Sequence, residues 1–317
     1  MKLSPLPAIM LEPAVRAALV EDLGRAGDLT TDAIVPKDHR ATTVLVARQA
    51  GVVAGLDPAM LAFRLVDQDL EMVMERADGS HVGQGEIIAS VSGPARAMLT
   101  AERTALNFLC HLSGIATATA SMVAAVREYR ARIVCTRKTT PGLRTLEKNA
   151  VRAGGGSNHR FGLDDAILIK DNHIAIAGGI RAAIERARTG AGHLVKIEVE
   201  VDTLAQLEEA LEFAPDAVLL DNMSVDDLQQ AVAMVAGRAI TEASGRITLD
   251  TAAEIAATGV DLISVGWLTH SAPILDIGLD YTPGARLLYA GADSARPAGV
   301  PTDGPNALDK MAIARSI

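Results

Sequence analysis

The sequence predicts an α/β fold in which an N-terminal α/β part precedes a parallel α/β barrel of about six or seven strands, a number that would leave the barrel incomplete. Three observations support this prediction. From about residue 132 onward, short apolar runs typical of strands alternate with amphipathic stretches typical of helices. Successive runs recur roughly every 20 to 35 residues, which is the size of a βα unit and implies parallel strands. Polar residues return at the end of each run, and barrels place their functional groups at that one face.

The N-terminal part combines helical and strand-like patterns. Apolar residues recur at helical spacing within residues 13–23 and Gly24 supplies a stop, so we predict a helix there. Between about residues 41 and 92 the pattern changes to β-like runs broken by glycine. A long helix is predicted from Thr100, because Thr100 and Arg103 fit a capped first turn ahead of an apolar stretch.

The predicted barrel strands are RIVCTRK, DDAILIKDN, LVKIEVEV, DAVLLDN, AITEASG and DLISVGW. Helical candidates such as LAQLEEALEF and VDDLQQAVAMVA lie between them. The runs are almost continuously apolar, as strands covered on both faces should be. A doubly wound sheet would carry functional groups only near its switch point, so polar ends on every run favour the barrel. The region after Tyr281 is rich in Gly, Pro and Ala and is predicted to be a flexible tail.

Composition argues against several function classes. The 317 residues include 39 acidic and 30 basic side chains, a net charge of −9, which disfavours a general affinity for nucleic acid or anionic membranes. Aromatic residues make up only 3%, too few for broad base-stacking surfaces. Cys110 and Cys135 lie in apolar runs, so we predict free thiols in a reducing compartment and no zinc site. Neither an export signal nor a membrane-spanning apolar run is indicated, which predicts a soluble, cytoplasmic protein.

Five potential cations lie at the ends of two strand-like runs and in the loop between these runs. They are Arg137, Lys138, His159, Arg160 and Lys170. They would repel each other at one barrel mouth unless a polyanion bound there. Arginine matches carboxylates and phosphates bidentately, whereas lysine acts as a point charge. We therefore predict a site for anionic substrates, with a solvated basic face as the alternative. Glycines 154–156 in the same loop permit a close backbone approach to a ligand or a simple hinge.

Carboxylates and small residues end the later runs. Glu200 and Asp221 are predicted at the ends of neighbouring strands, where they can hold Mg²⁺ or stabilise a cationic sugar transition state. A salt bridge to a rim lysine is the alternative. Late strand ends of barrels often bind phosphate through backbone N–H groups. The candidates here are Ala243, Ser244, Gly245, Ser264, Val265 and Gly266. His270 follows them and either adds a contact or is a buried or capping histidine.

These residues carry a resemblance to a known family. The block TRKTTPGLRTLEKNAVRAGGGSNHRFGLDDAILIKDNHI resembles the quinolinate phosphoribosyltransferase family, as do EDLGRAGDLTTDAIVP, TAERTALNFLCHLSGIAT and KIEVEVDTLAQLEEAL. The resemblance extends nearly to Asp280, and the position of Arg246 looks variable. It implies an N-terminal α/β sandwich over residues 1–115, an open TIM-type barrel over 116–280 and a tail over 281–317.

The resemblance also implies an activity and residue roles. The family transfers the phosphoribosyl group of phosphoribosyl pyrophosphate to quinolinate with loss of CO₂, using Mg²⁺, and works as a homodimer. Arg103 matches an arginine that reaches into the partner's site. Thr136, Arg137, Lys138, His159 and Arg160 match the quinolinate-binding group. Lys170, Glu200 and Asp221 match residues that handle phosphoribosyl pyrophosphate and its Mg²⁺, and segments 243–245 and 264–266 match the sugar-phosphate cradle. Catalytic roles are expected for Lys138, Lys170, Glu200 and Asp221.

Two alternatives stay open at this point. A phosphoribosyltransferase-like protein encoded with molybdenum transporters would share the barrel but differ in the dicarboxylate-binding arginines. A non-catalytic barrel that senses a phosphorylated metabolite could keep the cradle while losing Lys170, Glu200 or Asp221. A classical nucleotide-binding domain is disfavoured, because the sequence has neither a P-loop nor a GxGxxG after a strand.

Overall fold

The computed structural model describes residues 4–282. The first elements are α1 Ala8–Leu23, α2 Leu29–Ile34, β1 Arg40–Ala47, β2 Gly51–Val52, α3 Leu56–Val66, β3 Glu71–Met74, β4 His81–Val82, β5 Ile87–Pro94 and α4 Ala95–Ala125. The later elements are β6 Arg132–Val134, α5 Arg144–Ala153, β7 Ile167–Ile169, α6 Asp171–Ala177, α7 Ile180–Gly190, β8 Ile197–Val201, α8 Leu204–Glu212, β9 Ala217–Asp221, α9 Val225–Val235, β10 Ile240–Ser244, α10 Leu249–Ala257, β11 Leu262–Ser264, α11 Trp267–His270 and β12 Ile277–Tyr281.

The predicted parallel α/β architecture is confirmed. All six apolar runs form strands of one sheet, in the order β6-β11-β10-β9-β8-β7, and every neighbouring pair is parallel. Burial alternates along β8, where Ile197, Val199 and Val201 are buried in the core shared with the surrounding helices. Because side chains alternate across a strand, Glu198 and Glu200 lie on the opposite face, toward the barrel interior. This alternation delivers carboxylates to the interior.

The barrel is incomplete, as predicted. Ser157, in the loop after α5, forms an isolated parallel bridge to Val134 on the free side of β6. The Ser157 N–H donates to the carbonyl of Ile133, and the Cys135 N–H donates to the carbonyl of Ser157. Within residues 4–282, β7 pairs only with β8, so the sheet is open between β7 and the Ser157 segment. The opening lies beside the loop that carries His159 and Arg160.

The N-terminal part is a separate antiparallel sheet covered by α1, α3 and α4, with strand order β12-β1-β5-β3. Its edge strand β12 is the last described strand, and it pairs along β1 with Thr43 opposite Tyr281. The chain therefore returns to its first sheet after it has formed the last strand of the barrel, β11. The predicted boundary between residues 115 and 116 falls inside α4, and the N-terminal core continues beyond it through Ala116, Leu146 and Val151.

Helix α4 begins at Ala95, so the prediction of a capped start at Thr100 is wrong. The Thr100 hydroxyl instead donates to Asp28, which caps α2. Leu109 and Leu112 of α4 pack in the N-terminal core and Met122 in the barrel core. By length and composition α4 could also cross a membrane, but 56% of its apolar stretch is buried inside the protein, as in a core helix.

The first helix starts earlier than predicted. It runs from Ala8 and includes Pro13, and Gly24 ends it as expected, at a positive φ of 54°. The predicted flexible tail lies outside the described residues, apart from Tyr281 and Thr282.

Candidate active site

The mouth of the barrel brings Lys170 and Glu200 together. Lys170 follows β7 and Glu200 lies on β8, and the Lys170 Nζ is 2.5 Å from Glu200 Oε2. The glutamate side chain is only 12% exposed, whereas the lysine side chain is 47% exposed. The lysine thus links a largely buried carboxylate to solvent at the mouth. Glu200 therefore forms the salt bridge to a rim lysine that the sequence left open as an alternative.

Asp221 lies on the neighbouring strand, where its carboxylate accepts a hydrogen bond from the Asn222 side chain at 2.6 Å. The loops after β9 and β10 touch each other, because the Asn222 N–H donates to the carbonyl of Ser244. Gly245, at φ 106°, leaves no room for a side chain, since an added Cβ would lie 2.3 Å from the Asn222 side chain. The predicted segment 243–245 therefore packs directly beside Asp221.

The end of β6 meets the end of β11. A Cβ added at Gly266 would lie 3.0 Å from the Lys138 side chain, 3.5 Å from the Thr136 hydroxyl and 3.7 Å from His270. Thr269 reinforces this junction by donating its hydroxyl to the Lys138 carbonyl at 2.7 Å. His270 is exposed at this position, so it is not the buried histidine that the sequence left possible. Three predicted site residues, Thr136, Lys138 and His270, thus surround a fourth, Gly266.

Two residues of the predicted phosphate cradle contribute no side chain to the mouth. Ala243 and Val265 are each 1% exposed and pack in the barrel core. The Val265 N–H is already used, because it donates to the carbonyl of Val134. The Ser264 hydroxyl is likewise buried and donates to the carbonyl of Ala243. Only the ends of these segments, at Ser244, Gly245 and Gly266, remain partly exposed.

Arg137 and Arg160 form a pair of half-buried guanidinium groups. Burial lowers the pKa of Arg160, and the nearby positive charge of Arg137 lowers it further. The Nε atom of each arginine is buried without a hydrogen-bond partner, while Arg160 Nη1 donates to the carbonyl of Ala166. Two adjacent cations form a site that an anion with two acceptor oxygens would satisfy.

His159 points into the barrel interior instead of out of the mouth. Its Nε2 lies 2.9 Å from Glu198 and 3.6 Å from Glu242, and the histidine and Glu198 side chains are only 13% and 12% exposed. Its Nδ1 accepts the backbone N–H of Arg160 at 2.7 Å. Both ring nitrogens are therefore engaged by the protein. Within residues 4–282 these three side chains also form the one His/acid cluster with metal-like spacing, their ligand atoms lying within 4.8 Å of one another.

The charges of this cluster are unusual. Burial raises the pKa of Glu242 to about 7, and the charge of Glu198 adds to the effect, although His159 and Ser264 oppose it. Burial lowers the pKa of His159, but the hydrogen bond to Glu198 and the charges of both glutamates outweigh burial and raise it. The Arg160 N–H against Nδ1 nevertheless fits the neutral ring with its proton on Nε2. We assign that form, because a second ring proton would face another donor.

Sequence reasoning missed the side chains that hold these loops. Glu147 is fully buried in α5, where one oxygen contacts His111 of α4 at 2.9 Å and the other accepts the Thr140 N–H at 3.0 Å. Lys148 is also buried and donates to Cys135 Sγ and to the His159 carbonyl. Buried charged groups need such partners, but nothing in the helical pattern of α5 marks these two as buried.

Gly154 and Gly156 of the loop after α5 pack against α4. An added Cβ at Gly154 would lie 2.3 Å from the Ala116 carbonyl of α4, and at Gly156 it would lie 2.7 Å from Thr119. The small size of Gly154 and Gly156 serves the close packing of this loop on α4, whereas Gly155 is exposed and has a positive φ of 86°. Arg103 lies exposed on the N-terminal half of α4.

Comparison with known proteins places these features in a family. Residues 28–113 match the family model described as quinolinate phosphoribosyl transferase, N-terminal domain, and residues 115–280 match its C-terminal domain. A Bacillus subtilis protein named probable nicotinate-nucleotide pyrophosphorylase (carboxylating) is 44% identical over 274 residues, covering 86% of this chain and 94% of the relative. A Mycobacterium leprae protein named nicotinate-nucleotide pyrophosphorylase (carboxylating) is 49% identical over 271 residues, covering 84% and 95%.

Solved structures give the same result. The crystal structure of NadC from Streptococcus pyogenes has a TM-score of 0.84 and 42% sequence identity, and the match covers 88% of this chain and 100% of that one. The nicotinate-nucleotide pyrophosphorylase of Francisella tularensis has the same TM-score at 38% identity, with coverage of 88% and 98%. The similarity therefore extends through both the N-terminal sheet and the barrel.

Proposed function

The chain belongs to the quinolinate phosphoribosyltransferase family, and we propose that it transfers the phosphoribosyl group of phosphoribosyl pyrophosphate to quinolinate in NAD biosynthesis. The products are nicotinate mononucleotide, pyrophosphate and CO₂. The observation that carries this proposal is the pair of neighbouring, half-buried guanidinium groups of Arg137 and Arg160. A dicarboxylate would pair with these groups and offset their mutual repulsion. Relatives at 44% and 49% identity carry the name of the carboxylating pyrophosphorylase. This favours the proposed function over the molybdenum-associated protein and the non-catalytic sensor.

The proposed reaction has two stages. The pyridine nitrogen of quinolinate attacks the anomeric carbon, the new N–C bond forms, and the C–O bond to pyrophosphate breaks. Glu200 and Asp221 stabilise the positive charge that develops on the sugar. The bond from the ring to the carboxylate beside the nitrogen then breaks, CO₂ leaves, and the ring carbon keeps the electron pair and takes a proton. The new ring cation assists this loss. Holding two anions together in one orientation supplies much of the rate.

The chain's residues divide these tasks in the proposal. Arg137, Arg160 and Thr136 hold the dicarboxylate, and His159 supports the loop behind it. Lys138 and Lys170 act as point charges toward the phosphates, with His270 and the chain ends at Gly245 and Gly266 around the sugar phosphate. Glu200 and Asp221 offer hard oxygen donors on neighbouring strands, which fits Mg²⁺. Bound there, Mg²⁺ would neutralise charge on the pyrophosphate.

We further propose that the enzyme is a cytoplasmic homodimer in which Arg103 reaches the partner's site. The exposed position of Arg103 on α4 supports this assignment, as does the expected grouping of the other cations in the barrel.

The test is incubation of the purified chain with quinolinate, phosphoribosyl pyrophosphate and Mg²⁺. Nicotinate mononucleotide and CO₂ are expected in equal amounts, and folded protein that forms neither would refute the proposal. Nicotinate offered in parallel distinguishes this reaction from its non-decarboxylating counterpart. Near-normal turnover by Lys138→Ala or Glu200→Ala would refute those two roles.

A further inference from the structure

The backbone that carries Arg160 has little regular structure of its own. Arg160 lies in the loop between α5 and β7, where Ser157 makes the one strand-like bridge. Its guanidinium is one of the two that form the proposed acceptor site. The position of this arginine therefore depends on hydrogen bonds to the loop. Lys148 donates to the His159 carbonyl and Arg160 Nη1 donates to the Ala166 carbonyl, and further contacts come from the barrel interior.

A short chain of hydrogen bonds holds it. The Arg160 N–H donates to Nδ1 of His159 at 2.7 Å, and Nε2 of the same ring lies 2.9 Å from Glu198 Oε2. Because Nδ1 accepts a hydrogen bond, the ring proton must be on Nε2, and the Nε2–H donates a hydrogen bond to Glu198. A carboxylate at Glu198 thus selects the tautomer that the Arg160 backbone needs, as outer carboxylates do for histidines at other functional sites.

Glu198 is suited to this task by its place in the fold. It lies on β8, between the neighbouring strands β7 and β9, and faces the same interior side as Glu200 two residues later. Within the described part of the chain its carboxylate forms no ion pair except the one with His159. Glu242 Oε1 lies 3.6 Å from the same Nε2 and has no hydrogen-bond partner. One strand therefore supplies Glu200 to the mouth and Glu198 to the loop support.

We infer that Glu198 is a positioning residue for the acceptor site: it orients His159, and His159 fixes the backbone of Arg160. The inference rests on the proposed function, because it takes Arg160 as a ligand of the quinolinate carboxylates. Without Glu198, the ring can rotate and the Arg160 N–H loses its acceptor. The guanidinium then shifts relative to Arg137, while the contact between Lys170 and Glu200 stays in place. Loss of Glu198 should therefore weaken quinolinate binding more than phosphoribosyl pyrophosphate binding.

The test compares Glu198→Ala and Glu198→Gln in the full chain. Alanine removes the acceptor, and we expect the KM for quinolinate to rise about tenfold or more while the KM for phosphoribosyl pyrophosphate stays within about twofold. The glutamine amide keeps an acceptor oxygen, so its KM for quinolinate should lie closer to that of the wild type. Glu208→Gln, at an exposed position of α8, is the matched control and should leave both KM values unchanged.

Residue-resolved hydrogen exchange gives a readout without substrate. The Arg160 amide should exchange faster in Glu198→Ala than in the wild type, while amides of β8 keep their protection.

An unchanged quinolinate KM, or an equal loss for both substrates, would overturn the inference. So would one equivalent of Zn²⁺ bound by the wild type and lost in Glu242→Gln, because the cluster would then be a metal site. If alanine does not fold, an unchanged Arg160 exchange rate and quinolinate KM in Glu198→Asp, whose shorter side chain withdraws the carboxylate from His159, would overturn it equally. A wild type that is inactive with quinolinate would refute the proposed function instead.

Discussion

Lys170 Nζ and Glu200 Oε2 lie 2.5 Å apart at the barrel mouth, although 30 residues separate them in the chain. The lysine side chain is nearly half exposed, so this pair contributes only about 0–1 kcal/mol to the free energy of unfolding. We predict that Lys170→Met lowers kcat/KM about 100-fold or more with little change in stability, because its charge acts on substrate. Steady-state kinetics and thermal unfolding test both parts. Lys196→Met is the control, since the pair of Lys196 with Asp216 has the same 2.5 Å separation away from the mouth. Equal losses in both variants would contradict the prediction.

Arg160→Lys tests whether the acceptor site needs a planar fork. Lysine keeps the charge but cannot bind a carboxylate through two parallel hydrogen bonds, so we expect the KM for quinolinate to rise about 10- to 100-fold. The KM for phosphoribosyl pyrophosphate should change little. Arg152→Lys, at an exposed position of α5, serves as the matched control. A quinolinate KM within about twofold of the wild type would remove Arg160 from the acceptor site.

Glu242→Gln should change the pH dependence of stability. The pKa of Glu242 is raised to about 7 in the folded chain, so the folded state holds a proton that the unfolded state releases near pH 4.5. The free energy of unfolding therefore falls as pH rises from about 4.5 through 7. Glutamine removes the buried charge. We expect the variant to gain about 1–3 kcal/mol relative to the wild type between pH 5 and pH 8.

Urea unfolding at several pH values measures this difference. A gap between the two proteins that does not change with pH would show that Glu242 does not titrate as predicted. Glu208→Gln should unfold in parallel with the wild type throughout, because its side chain is exposed.

Glu147→Ala should destabilise the fold strongly. The buried carboxylate joins His111 of α4 to the Thr140 N–H, and its loss leaves both polar groups without a partner. We expect a loss of about 2–4 kcal/mol in the free energy of unfolding, measured by urea titration. Glu209→Ala on the exposed face of α8 should cost less than about 0.5 kcal/mol. Equal effects would mean that Glu147 does not brace the loop.

Mixed dimers test the proposed role of Arg103. Arg103→Ala and Lys170→Ala should each be nearly inactive alone. If Arg103 completes the partner's site, a random mixture contains dimers with one intact site and should recover about a quarter of wild-type activity. Activity of the mixture is measured after unfolding and refolding the two variants together. No recovery, with dimers formed, would place Arg103 in its own chain's site.

Much of the fold follows from local patterns. The barrel strands were predictable because strands buried on both faces are nearly continuous apolar runs, and their polar ends mark one face. The start of α4 was not predictable in this way. Thr100 has the chemistry of an N-cap, but its hydroxyl donates to Asp28. The pairing of β12 with β1 also could not be predicted, since no local pattern states which distant strand completes an edge.

The site divides in the same way. Residues such as Lys138 and Lys170 were predictable from type and position at strand ends. The direction of the His159 ring was not, because it depends on Glu198 and Glu242, which come from two other strands. Glu147 and Lys148 resemble an exposed charged pair in α5, and only the packing against α4 and the His159 loop shows that they are buried. Long-range partners decide such burial, and a local window of sequence does not contain them.

The return of β12 to the first sheet has a consequence for biosynthesis. During translation β1 emerges early, but the strand that covers its free edge is made only after every strand of the barrel. Until then the nascent chain exposes the backbone donors and acceptors of β1, which is the kind of edge that invites pairing with other chains. Contacts between such distant segments also form slowly. The first sheet to leave the ribosome should therefore be the last to close.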